Sequence, residues 1–291
     1  MMTTPDWLDR EQWPYHPREY TDPDGRMHYV DEGDGPLIIL VHGTPTWSLE
    51  WRHVIHALRP QFRLLAVDHL GFGLSERPKG VAYTPEAHAE RFRRWHETVV
   101  GTLPYAMIVH DFGGPITLPS VLADPQSCRR LIVTNSWGWD MARDPALRRQ
   151  INLVQGMLGR WLYRYANASQ RLLMPKAYGN RAALTPSIHA QYLAPFRDPE
   201  ARERVLYALA RSLKLSAAFF DDLYAKRQRL ATVPTHVVWG MKDGTLPPSI
   251  LDGWRVALPH AVVHPFEESG HWPQEEKPER FTALVRSILT M

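Results

Sequence analysis

Four short apolar runs constrain the fold of this chain more than any other feature. "PLIILVHG" (36–43), "FRLLAVDHLG" (62–71), "AMIVHD" (106–111) and "RRLIVTNS" (129–136) are strand-length, and each closes on glycine or a polar residue. Runs without polar alternation fit strands covered on both faces, as in a parallel sheet. Parallel neighbours need a crossover. "TPEAHAERFRRWHETVVGTL" (84–103) supplies one, with Thr84 as N-cap and Pro85 as the first helical residue. Strand-like runs return late, in "THVVWGMKD" (235–243) and "AVVHPFEESGH" (261–271). The closing "KPERFTALVRSIL" puts Phe281, Leu284, Val285 and Ile288 on one helical face. The expectation is an α/β fold, a mostly parallel sheet flanked by helices.

Between Trp137 and Leu215 the pattern changes. No strand-like run occurs there; Leu, Arg, Ala, Tyr and Trp recur at helical spacing, interrupted by Pro175, Pro186, Pro195 and Pro199. We therefore expect a core of residues 1–136 and 216–291, interrupted by a helical insertion, 137–215. At 291 residues, 44% hydrophobic and 22% charged, the chain has globular composition. A net charge of +3 with no dense basic block gives no reason to expect nucleic acid or a membrane as partner. No apolar stretch approaches 18 residues, and "MMTTPDWLDREQWPYHPREY" (1–20) lacks the apolar core of a signal peptide. The single cysteine, Cys128, allows neither an intramolecular disulfide nor a cysteine zinc site. A cytoplasmic protein without metal or cofactor is expected; its oligomeric state is open.

In open α/β sheets, functional groups gather at the carboxyl ends of the strands. Here those positions hold His42, Gly43 and Thr44, then Asp68, Asp111, Asn135, Asp243 and His271. Asp111 ends a strand and is followed by Phe112, Gly113 and Gly114, residues suited to a sharp strand–turn–helix bend that exposes a nucleophile. Downstream, Asp243 and His271 supply an acid and a histidine. "HGTP" (42–45) is placed to give one backbone N–H of an oxyanion hole, at Thr44, with Phe112 giving the other.

An aspartate in that position restricts the chemistry. Serine attacking a saturated carbon would leave an ether that water cannot readily cleave. A carboxylate leaves an ester, and covalent catalysis works only if the second step is feasible. Asp111 therefore predicts displacement at an sp³ carbon. It needs no base to activate it, so His271 would serve the hydrolytic water and Asp243 would orient His271.

Five stretches carry a resemblance to a known family: "VHGTPTWSLEWR" (41–52), "DHLGFGLSERP" (68–78), "VHDFGG" (109–114), "GMKD" (240–243) and "SGHWPQEEKPE" (269–279). Over nearly its whole length the chain resembles haloalkane dehalogenase-type α/β-hydrolases. That aspartate-nucleophile branch also includes epoxide hydrolases and β-lactone-cleaving enzymes. The resemblance implies an α/β-hydrolase fold with a helical cap, the triad Asp111, Asp243 and His271, an alkyl–enzyme ester, and a small apolar organic substrate with water. The sequence departs from the family at two points that serve the leaving group. Phe112 stands where a tryptophan usually donates to the halide, and Thr44 where Asn or Glu is usual. Thr44, Trp137, Trp139 and Trp161 are the candidate replacements, although packing is the ordinary role of such tryptophans. Epoxide opening would instead call on cap tyrosines among Tyr163, Tyr165, Tyr178, Tyr192 and Tyr207. The arginines of the insertion read as a solvated helix face. A non-catalytic binding protein of this fold would have no chemical need for all three triad residues.

Overall fold

A computed structural model describes residues 5–291, apart from the side chain of residue 146; the first four residues of the expected core lie outside the described part. Strands β1 (Arg18–Asp22), β2 (Gly25–Glu32), β3 (Leu37–Val41), β4 (Arg63–Val67), β5 (Tyr105–Asp111), β6 (Cys128–Ser136), β7 (Thr235–Gly240) and β8 (Val262–Phe266) form one sheet, ordered β1-β2-β4-β3-β5-β6-β7-β8. From β4 to β8 all neighbours are parallel. β3 and β5 are buried at every residue, as unalternated runs require. β1 and β2 were not evident as strands. They form an antiparallel hairpin on the sheet edge, where one solvated face permits polar residues that hide the pattern.

Helix α1 (Arg52–Leu58) follows β3, α2 (Pro85–Val99) joins β4 to β5, and α3 (Gly113–Ala123) follows β5 directly. The Thr84 side chain accepts from the Ala87 N–H, and Pro85 opens α2, as its sequence predicts. Chain order reverses around β3: β4 lies on one side and β5 on the other. The carboxyl ends of β3 and β5 thus flank a switch point, where open α/β sheets place their ligands.

Among the described residues, only helical elements occur between β6 and β7, from Met141 to Thr232. They include α4 (Pro145–Gln155) and α5 (Met157–Ala166), whereas the later helix Ala217–Lys226 packs on α3. No described helix is long and apolar enough to cross a membrane.

Candidate active site

The tight bend after β5 falls on Asp111 itself. Asp111 has φ 48°, a left-handed conformation that is uncommon for a non-glycine residue. Gly113 and Gly114 are not at positive φ, so the expectation that they make the bend is corrected: they allow close approach. A Cβ on Gly114 would lie 2.0 Å from Ser136 Oγ, and that hydroxyl donates to the Asp111 carbonyl at 2.5 Å. Across the switch point, a Cβ on Gly43 would lie 2.4 Å from Asp111 Oδ1 and 2.7 Å from the Phe112 nitrogen. Glycine at 43 therefore lets the β3 loop present its next amide, and the Thr44 N–H donates to Asp111 Oδ1 at 2.8 Å.

The other Asp111 oxygen, Oδ2, faces His271 Nε2 at 3.5 Å. His271 Nδ1 and Asp243 Oδ2 are 2.5 Å apart. The three residues are buried and brought together from β5, the loop after β7 and the loop after β8. Asp243 is fixed by two further sets of donors. Oδ1 accepts from the Thr245 and Leu246 amides at 2.7 and 3.0 Å. Oδ2 also accepts from Asn135 Nδ2 at 2.7 Å, while Asn135 Oδ1 holds the Gly240 N–H. Asn135 thus fixes the Asp243 carboxylate against the end of β7.

Electrostatics give His271 an unusual resting state. Burial disfavours its cation, but the Asp243 carboxylate and then Asp111 outweigh that penalty and raise its pKa to about 10. With both carboxylates ionised, His271 is an imidazolium at neutral pH.

Beneath these three residues lies a chain that the sequence did not reveal. His110 Nε2 donates to the His271 carbonyl at 2.8 Å, and its Nδ1 faces Glu50 Oε1 at 3.1 Å. Glu50 also accepts from the Thr46 hydroxyl. The His110 and His271 rings pack at 4.6 Å, and Trp272 stands edge-on to His271 at 4.6 Å. The only available signal was "HD" at the strand end, which alone says nothing of Glu50, 60 residues earlier.

The candidate leaving-group residues separate. Thr44 Oγ1 is buried with no hydrogen-bond partner among protein groups. Trp137 is buried, its ring edge-on to Phe112 at 4.8 Å, and its indole N–H also lacks a partner. Other buried indoles share that lack, but Trp137 is the one packed on the residue after Asp111. Trp139 and Trp161 are not gathered with them. Trp139 packs on Trp254 and covers Gly253. Trp161 is 54% exposed, on the side of α5 away from buried Tyr163.

The tyrosines also separate. The Tyr178 and Tyr192 hydroxyls both donate to buried Glu275, which pairs with Arg52. Tyr207 reaches the backbone carbonyls of Gln155 and Gly156, and Tyr165 is exposed. Tyr163 feels the Asp111 charge, but burial comes first in pushing its hydroxyl up to about 12. Among the described residues, no group of three or more His, Cys, Asp or Glu side chains is arranged to hold a metal ion.

A family model described as the α/β hydrolase fold matches residues 36–278. Haloalkane dehalogenase 2 of Mycobacterium tuberculosis H37Rv is 31% identical over 278 residues, covering 95% of this chain and 96% of its own. The cis-3-alkyl-4-alkyloxetan-2-one decarboxylase of Xanthomonas campestris is 28% identical, covering 90% and 92%. Among solved structures, a point variant of a haloalkane dehalogenase from Agrobacterium tumefaciens C58 superposes with a TM-score of 0.83 at 24% identity, covering 98% and 100%. The chain belongs to the α/β-hydrolase fold family and, within it, to the haloalkane dehalogenase-like group of hydrolases.

Proposed function

We propose that the chain hydrolyses the carbon–halogen bond of a small apolar organic substrate through an alkyl ester on Asp111. The observation that carries this reading is the division of labour at the Asp111 carboxylate. Oδ1 is held by the Thr44 amide, while Oδ2 faces the histidine that must later serve water. Oδ2 attacks the sp³ carbon, the carbon–halogen bond breaks, and the halide leaves with its electron pair. Oδ1 becomes the ester carbonyl oxygen. Water then attacks the ester carbonyl carbon, His271 Nε2 takes its proton, and the oxyanion is held by the Thr44 and Phe112 amides. Collapse releases the alcohol and restores the carboxylate. Formation of the ester removes one of the two charges that hold His271 as a cation. The imidazolium can then give its Nε2 proton to solvent, and the neutral histidine acts as a base only after the first step.

For the departing halide, the Trp137 indole and the Thr44 hydroxyl are the donors in place of an indole at position 112. Residues 137–215 act as a cap over the carboxyl ends of the strands. The His271 N–H to Ala177 carbonyl bond and the bond from Gln170 Nε2 to the Pro45 carbonyl support that placement. Epoxide opening needs an acid for the alkoxide, and it is weakened by the engagement of Tyr178, Tyr192 and Tyr207 elsewhere. Similarity to the lactone decarboxylase favours a second reading, the same carboxylate opening a β-lactone.

The test is a His271→Gln variant incubated with a 1-bromoalkane, styrene oxide or a dialkyl β-lactone. A mass increment on the peptide containing Asp111, with halide released by the wild type, is the expected result. Labelling only by the lactone would favour the second reading. No adduct from any of the three would remove Asp111 as nucleophile.

A further inference from the structure

The outward face of α5 is apolar where a surface helix is normally polar. Met157, Leu158, Trp161 and Tyr165 fall within about a 100° arc at 3.6 residues per turn, and all four are exposed, Met157 at 90%. The buried residues of the same helix, Gly159 and Tyr163, lie on its opposite side. Leu153 on α4 and Leu172 and Leu173 just beyond α5 are exposed as well. Seven large apolar side chains are thus exposed within the 21 residues from 153 to 173. A cluster of this kind marks an interaction surface.

The surrounding charge indicates the partner. Residues 137–215 carry 13 Lys and Arg against five Asp and Glu, a net +8, whereas the whole chain carries only +3. Arg148 and Arg149 on α4, and Arg171 and Lys176 in the segment after α5, are exposed as well. Beside Met157 opens a cleft of about 670 Å³ lined by Arg160 and Arg164, both paired with Glu203, and by Arg204 and Arg211. A second copy meeting this face in a twofold dimer would bring like charge against like. An anionic bilayer offers the complement: acyl chains for the apolar arc and headgroup phosphates for the guanidinium rim.

We propose that this α4–α5 face docks on the surface of an anionic phospholipid bilayer. The face is formed by exposed Met157, Leu158, Trp161 and Tyr165 within an arginine rim, so its occupancy does not depend on the reaction at Asp111. The overall charge of +3 conceals it, because the remainder of the chain is net acidic.

Vesicle flotation of the full chain tests the proposal. With phosphatidylcholine and phosphatidylglycerol in equal parts, the protein floats at low salt and is released at high salt; with phosphatidylcholine alone it stays at the bottom. The Met157→Ser/Leu158→Ser/Tyr165→Ser variant, folded by circular dichroism, loses flotation. Arg148→Ser/Arg149→Ser/Arg171→Ser lowers partitioning about a hundredfold. Absence of wild-type flotation on the anionic vesicles, or undiminished flotation of the apolar variant, overturns the proposal. So does sedimentation showing a wild-type dimer that the apolar variant fails to form, since a second copy would then be the occupant.

Discussion

Replacing Asp111 by Asn should weaken the hold on the His271 proton, and the size of that change follows from the geometry. The carboxylate oxygen and Nε2 are 3.5 Å apart, with both side chains buried. At an effective dielectric constant near 20, opposite unit charges at that separation attract by about 5 kcal/mol. The elevation of His271 from 6.5 to about 10 corresponds to a similar energy, about 4.8 kcal/mol. Asp243 is the first of the two raising influences, so removing the Asp111 charge should lower the His271 pKa from about 10 while Asp243, opposed by burial, still supports the cation. Nitrogen NMR of histidine-labelled protein between pH 5 and 11 reads this directly. The wild type should show one histidine whose Nδ1 and Nε2 both remain protonated to about pH 10, and the Asp111→Asn protein should lose that signal well below it. The sign also fixes a stability profile. A raised folded-state pKa gives stabilisation that is complete below 6.5 and lost as pH rises through 10. Stability of the wild type should therefore fall over that window more steeply than that of the variant. Equal titration of His271 in the two proteins would refute the charge-release account.

Three further outcomes follow. Trp137→Phe removes the indole donor beside Phe112 and should slow the halide-releasing step roughly 10–100-fold, the value of a hydrogen bond to a charged group; Trp139→Phe should leave it within twofold by stopped-flow halide detection. Glu50→Leu leaves His110 Nδ1 and the Thr46 hydroxyl buried without their Glu50 partner and should cost about 1–3 kcal/mol in urea unfolding, whereas adding His110→Phe should recover part of that loss. Gly114→Ala displaces the Ser136 hydroxyl from the Asp111 carbonyl and should lower stability by about 1 kcal/mol, an effect that a Ser136→Ala background should largely erase in a double-mutant cycle.

Much of the framework was legible because buried parallel strands must be continuously apolar, a rule that β3 and β5 follow at every residue, whereas the edge strand β8 is half-exposed and its run overshoots the strand end at Phe266. Asp111 stands at such an end, whereas Asp243 and His271 lie in the loops after β7 and β8. The edge hairpin β1–β2 was not legible, since a half-solvated strand such as "REYTD" carries no apolar signal. Side-chain partnerships across the sheet were equally hidden. No local pattern links Glu50 to His110 or Asn135 to Asp243, because each pair is made by parallel strands and loops distant in the chain. The tryptophans illustrate a third limit: Trp137 and Trp139 lie beyond the end of β6, where the chain has left strand geometry and sends one to Phe112 and the other to Trp254, yet composition treats them alike.

That divergence bears on why position 112 can be phenylalanine. A donor for the leaving group has to be an N–H or O–H in a dry place near Asp111, and the chain can supply it from any element whose side chain reaches there. β6 lies next to β5, and its first residue beyond the strand, Trp137, rests its indole on the Phe112 ring. The apolar ring at 112 thus serves as a packing surface that holds the neighbouring indole in place. In that arrangement a Phe112→Trp substitution should crowd Trp137 instead of adding a second donor. Halide affinity would then stay level or fall, together with a loss of stability of about 1–3 kcal/mol from overpacking. Quenching of tryptophan fluorescence by bromide would measure the affinity, and thermal unfolding the stability. Tighter halide binding by the variant without loss of stability would show that the two rings are not in competition for the same space.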